Sequence, residues 1–173
     1  MAEPIGRVSV TGTWSRHVLA GADGLAPSRS ANGGRFNAPG QPALYLADTD
    51  GTAWAEWYRW LAEWGELPAN HLPRYLYRII VDLEQVVDAS SAAARRKLGL
   101  PIRMRPSSGQ WSAFRAVGER LAAEGADAIL YASAARTRSL CLCVFEPGLS
   151  GLRIESEPVR VIAPPPPPCG LRT

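Results

Sequence analysis

Apolar and polar residues alternate with period two over residues 7 to 11, Arg-Val-Ser-Val-Thr, which predicts a short strand. The periodicity then stops. Residues 21 to 42 are rich in Gly, Pro, Ser and Asn and read as one long loop, of a length that in compact domains tends to carry function. Ala43-Leu44-Tyr45-Leu46-Ala47 reads as a strand, and Asp48-Thr49-Asp50 offers N-cap chemistry for a helix over about residues 51 to 64. On that helix Trp54, Trp57, Tyr58, Leu61 and Trp64 form one apolar stripe, whereas Glu56, Trp60 and Glu63 fall on another. Glu56 is thereby free of the main core and able to face a cleft.

The strongest strand signal covers residues 74 to 83, Arg-Tyr-Leu-Tyr-Arg-Ile-Ile-Val-Asp-Leu. A helix-prone segment around Ala92-Ala93-Ala94 runs toward Leu98, and a second helix is predicted over residues 109 to 124, with Trp111, Phe114, Val117 and Leu121 on one face and Gly125 as its stop. Residues 128 to 131 and 140 to 145 read as strands joined by a loop carrying Arg136 and Arg138, and residues 152 to 155 and 159 to 162 as two more. Five prolines at 164 to 168 predict the end of folded structure and an extended tail, so the expected organisation is one domain over 1 to 163 and a tail over 164 to 173. The order of elements indicates a mixed α+β domain.

A chain of 173 residues with 46% hydrophobic positions builds one ordinary core, which argues against disorder. No segment approaches the roughly 18 consecutive apolar residues of a membrane helix, and the first residues lack a signal-peptide order, so a cytoplasmic location is expected. Cys141 and Cys143 read as small buried hydrophobes on one strand face, and with His only at 17 and 71 no metal set is expected. The net charge of +3 divides into −3 over residues 1 to 90 (7 basic, 10 acidic) and +6 over 91 to 173 (12 basic, 6 acidic). Much of the excess is Arg95, Arg96, Lys97, Arg103 and Arg105, which read first as a solvated helix end and loop; without interleaved aromatics they do not argue for direct nucleic-acid binding.

Three polar positions stand beside glycine turns or strand ends: Arg35 in Gly33-Gly34-Arg35-Phe36-Asn37, Glu56 on the first helix, and Ser133 after the strand at 128. The serine lacks the Gly-x-Ser-x-Gly elbow of hydrolases, and neither histidine has a pattern that makes a triad with it. In this order the pieces resemble the RES-domain family, the toxin halves of RES-Xre toxin-antitoxin pairs. Gly-Gly-Arg-Phe-Asn with Pro39-Gly40, Leu44-Tyr45-Leu46-Ala47 and Ala53-x-Ala55-Glu56 resembles that family's central pattern, and Asp127-Ala128-Ile129-Leu130-Tyr131-Ala132-Ser133-Ala134-Ala135-Arg136 resembles a later element. Trp14-Ser15-Arg16-His17 is similar to its early Tyr-Arg element, with His17 where some members carry Tyr and Ala128 where many carry Gly.

The resemblance implies a fold similar to ADP-ribosyltransferases, a mostly β core with peripheral helices and a cleft for NAD as substrate. It implies cleavage of the nicotinamide-ribose bond, with ADP-ribose passing to water, to phosphate or to a cellular protein. Glu56 would stabilise the oxocarbenium-like ribose, while Arg35 and Arg16 would hold the pyrophosphate. Tyr45 would stack on nicotinamide or bond to ribose, Ser133 would donate to a phosphate or ribose oxygen, His17 would stack or hydrogen-bond, and Asn37 would contact the ligand or stabilise its turn. The implied partner is an antitoxin with a helix-turn-helix domain whose C-terminal segment blocks the cleft. The reading from another class is a non-catalytic nucleotide- or protein-binding module on the same fold.

Overall fold

The strongest alternation in the chain becomes the longest strand of the computed structural model, which describes residues 6–28, 32–102, 109 and 111–172. This strand is β3 (Arg74–Ala89), and it pairs antiparallel with β1 (Arg7–Leu19) from Leu19↔Arg74 to Arg7↔Val87, the register shifting between Val8 and Val10. Both run well past their predicted ends. Residues 12 to 19 carry no clean alternation, and pairing with β3 is what extends them.

β1 also meets β2 (Ala43–Ala47) through Ser15↔Ala47. β2 continues antiparallel to β5 (Leu140–Phe145), β5 to β4 (Ala128–Ala132), and β4 runs parallel to the last residues of β3. The sheet thereby closes on itself in the order β1, β2, β5, β4, β3, with the short strands β6 (Leu152–Ile154) and β7 (Val159–Val161) added to β3. Around it stand α1 (Asp50–Trp64), α2 (Ala92–Lys97) and α3 (Trp111–Ala123), giving the mixed α+β domain expected.

Strand β5 is apolar at every position because both of its faces are covered. Cys141 and Cys143 face a cluster with Phe36, Phe114, Leu121, Ile129 and Tyr131, while Leu142 and Val144 face Trp14, Leu44, Ile79 and Val81. Both cysteines are free and buried, as small hydrophobes are, and burial lifts the Cys143 thiol to about 12. A third cluster of Trp54, Trp57, Leu61 and Leu76 seats α1. Trp64, the last member of the stripe, is instead 56% exposed, because the helix stops at Gly65 in the left-handed conformation, φ 66°.

Two expectations are corrected. Arg95 is not part of a surface patch: it is buried, and its guanidinium donates to the carbonyls of Ala89, Ser90 and Ile102, tying α2 to the end of β3. Arg103 and Arg105 lie outside the described residues. The proline segment folds back as well, with Tyr58 donating to the Pro165 carbonyl and Arg136 to that of Cys169. Among the described residues no helix is long and apolar enough to cross a membrane, and no cluster of three or more His, Cys, Asp or Glu residues forms a metal site.

Candidate functional site

The glycine loop is built around a side-chain lock. Tyr45, on β2, donates from its hydroxyl to Asn37 Oδ1 at 2.7 Å and accepts from the Phe36 amide at 3.0 Å. Asn37 in turn donates to the Gln41 carbonyl at 2.9 Å, and Gly34 N–H donates to the Asn37 carbonyl at 3.0 Å. Gly33 has φ 65°, and a Cβ at Gly34 would strike the Tyr45 hydroxyl and Asn37 Oδ1, so both glycines are required by the turn itself. Phe36 inserts into the core against Phe114 and Tyr131, and α3 approaches so closely that a Cβ at Gly118 would meet the Phe36 carbonyl. From α3, Arg115 donates to the Gly34 carbonyl at 3.0 Å. The turn leaves Arg35 projecting from a rigid base, its guanidinium 5.5 Å from the centre of the Tyr131 ring.

Glu56 is in the second turn of α1, whose start is capped by Thr49 Oγ1 accepting from the Thr52 amide. Its Oε1 accepts from Ser133 Oγ at 2.6 Å, from Ala134 N at 3.0 Å and from Ala135 N at 3.3 Å, with the Cys141 thiol 3.8 Å away. All four contacts fall on one oxygen, which fixes the carboxylate and leaves Oε2 out of the set. Burial and the Glu56 charge push the Cys141 thiol upward, so it stays protonated. Ser133 is fully buried and also accepts from Ala135 N and Arg136 N, so its hydroxyl is committed to Glu56 and to its own turn. Arg136 closes the arrangement, its Nη1 bonded to Thr49 Oγ1 at 3.0 Å and Thr52 Oγ1 at 3.2 Å.

On β1, Arg16 donates to the carbonyls of Gly24 and Ala26, and burial draws it down to about 10 against the opposing charge of Asp23. His17 stacks on Trp54 at 4.5 Å and 5°. Arg74 Nε lies 2.8 Å from His17 Nδ1 and can only donate, so Nδ1 is the acceptor and Nε2 carries the proton toward the Ala53 carbonyl, 3.1 Å away. Burial, then the Arg74 charge, lowers His17 to about 3. The ring is a neutral, fixed wall.

These groups converge on one cavity of about 570 Å³, within the range of small-molecule sites. Its wall carries Arg16, Arg35, Arg59 and Arg74 against Glu56 and Glu63, an excess of positive charge suited to an anionic ligand. Trp57 Nε1, Arg59 Nε and Trp111 Nε1 are buried donors that find no acceptor among the described residues, all on residues of this wall. Buried donors of this kind are normally satisfied by a partner. Among the described residues nothing accepts from the Arg35 guanidinium.

Of the residues singled out in the sequence, Arg16, His17, Arg35, Asn37, Tyr45 and Glu56 all line this cavity, whereas Ser133 stands behind Glu56 and reaches the space only through it. Arg59, Arg74 and Trp111 were not anticipated. Arg59 follows Glu56 by three positions and so shares its helix face, a spacing visible in the sequence; Arg74 and Trp111 arrive from the start of β3 and of α3, which only the tertiary fold brings here.

Comparisons with known proteins bear on the family and the fold. The model of one family, described as the RES domain, matches residues 7–163. Among solved structures, a chain of the crystal structure of the M. tuberculosis MbcT-MbcA toxin-antitoxin complex superposes with a TM-score of 0.76 at 25% identity, over 91% of this chain and 87% of that one. No curated protein sequence matches the chain.

Proposed function

Because the chain belongs to the RES domain family, we propose that it is the toxin of a toxin-antitoxin pair, acting in the cytoplasm by cleaving the nicotinamide-ribose bond of NAD. The observation that carries this reading is the Glu56 carboxylate, anchored through one oxygen in the wall of an arginine-lined cavity.

The chemistry needs little else. The C1′–N bond breaks with its electron pair passing to the pyridinium nitrogen, so nicotinamide leaves neutral and needs no proton. This fits the neutral state in which His17 is held. Positive charge develops on the ribose, and a fixed carboxylate stabilises it; removing one preorganised electrostatic partner from such a site costs about 10²–10³ in rate. An oxygen nucleophile then bonds to C1′ and releases a proton. Arg35, set over the Tyr131 ring and without an acceptor among the described residues, together with the buried donors of Arg59, Trp57 and Trp111, would take the pyrophosphate and ribose oxygens, and Arg16 lines the same space. Tyr45 and Asn37 serve by holding the loop that presents Arg35, and Ser133 by orienting Glu56.

The antitoxin is the proposed partner, as the complex of the M. tuberculosis relative suggests. Trp60, which lines the cavity and is 43% exposed, sets an apolar side chain beside the arginines of the wall, a surface suited to a segment carrying carboxylates and apolar residues. Induced expression in a bacterial host is the test: cellular NAD falls and growth stops with the wild-type chain, and Glu56→Gln relieves both. Equal toxicity of the Glu56→Gln chain would remove catalysis through this carboxylate.

A further inference from the structure

The segment after the family match has no part in the catalytic reading, yet it is bonded to the loop that holds Glu56. Tyr58, two residues after Glu56 on α1, donates its hydroxyl to the Pro165 carbonyl. Arg136 Nε donates to the Cys169 carbonyl at 3.0 Å, Thr137 N to the Gly170 carbonyl at 3.1 Å, and Arg172 N to the Ala135 carbonyl at 2.9 Å. Arg136 and Leu171 face each other as an isolated antiparallel bridge.

Ala135 is the junction. Its N–H points at Glu56 Oε1 while its carbonyl accepts from Arg172, so the same peptide segment is tied to the carboxylate on one side and to the tail on the other. Arg136 is likewise shared, with Nη1 on the threonines that open α1 and Nε on the tail. Apart from Arg136, the tail reaches the loop through main-chain groups, so a proline-rich sequence whose side chains signal only extended structure can still make these bonds.

We propose that residues 164–172 are a positioning strap for Glu56: they brace the loop after β4 so that Ser133 Oγ and the amides of Ala134 and Ala135 hold the carboxylate in one orientation. This rests on Glu56 being the carboxylate of NAD cleavage. Without the strap the loop samples more conformers, and the preorganised charge at the ribose is lost while the arginines that bind the ligand stay in place.

The test compares the full chain with a chain ending at Ala163 and with Tyr58→Phe, which removes one hydroxyl and leaves the fold intact. Nicotinamide release from NAD gives kcat and KM, and calorimetry with NAD in the Glu56→Gln background gives affinity and sites per chain. Truncation lowers kcat about 10- to 100-fold, Tyr58→Phe lowers it less, and both keep one site with nearly unchanged Kd. The decisive comparison is the double variant: on Glu56→Gln, neither change alters the residual rate, because the strap acts through Glu56. Unchanged kcat in the shortened chain and in Tyr58→Phe, or the same fractional loss with and without Glu56, overturns the proposal. If the shortened chain does not fold, the Tyr58→Phe pair decides by the same criterion. Absence of release from the full chain, with NAD alone and with phosphate or cell lysate added, overturns NAD cleavage itself, and the strap with it, before any variant is compared.

Discussion

At Ser133 and Asn37 the hydrogen bonds, more than the residue types, define the role. Ser133 is fully buried with its hydroxyl committed to Glu56, so it acts on the carboxylate rather than on a ligand. Ser133→Ala removes one of four hydrogen-bond donors to Oε1, and kcat for nicotinamide release is expected to fall about tenfold while KM holds, a difference of about 1.4 kcal/mol. Steady-state kinetics checks it. Glu56→Gln keeps an acceptor oxygen for the same donors, so its melting temperature should stay within a few degrees while its rate collapses. His17 carries a pH signature. Its folded value, about 3, lies below the unfolded value near 6.5, so the unfolded chain binds the proton first as the pH falls. The neutral ring therefore costs no stability above pH 6.5. Between pH 6.5 and about 3 stability is progressively lost, by up to about 1.4 kcal/mol per pH unit. Thermal melts across this window should show a shallower slope for His17→Phe, which retains the stack on Trp54; an identical slope would mean that His17 titrates normally.

At the scale of elements, what the sequence disclosed depended on whether the information was local. The run from Gly33 to Glu56 was legible because a turn, a strand and a capped helix each have short-range signatures, and the helix period alone set Glu56 apart from the Trp54 and Trp57 stripe. Gly33 and Gly34 illustrate why: their requirement is steric and sits within a few residues of its cause. Gly34→Ala forces Tyr45 and Asn37 to move, with an expected loss of about 1–3 kcal/mol in unfolding free energy and of NAD affinity, checked by denaturant titration and calorimetry. The far half of β1 was hidden, since residues 12 to 19 become strand only by pairing with β3, and Arg95 read as surface charge because its acceptors are backbone carbonyls.

At the scale of the whole molecule, the cavity is a product of closure. β1 brings Arg16 and His17, β2 brings Tyr45, α1 brings Glu56 and Arg59, and Arg74 and Trp111 come from residues distant in sequence. The family pattern identified the first of these groups; the wall residues without a pattern, and the return of the proline segment onto the loop at Ala135, follow only from the tertiary arrangement. The excess of arginine on the wall predicts that ligand binding weakens with salt. Arg35→Lys, which keeps the charge and loses the planar fork, should raise KM for NAD several-fold with little change in kcat.

The most direct test of NAD cleavage is incubation of the purified full chain with NAD, with and without phosphate, following nicotinamide by chromatography beside Glu56→Gln and Arg35→Ala. The account predicts release by the wild-type chain that Glu56→Gln lowers about 100-fold or more and Arg35→Ala also reduces, with any phosphate dependence naming the acceptor. Release undiminished in Glu56→Gln, or no release from NAD either alone or with phosphate and cell lysate, would contradict it.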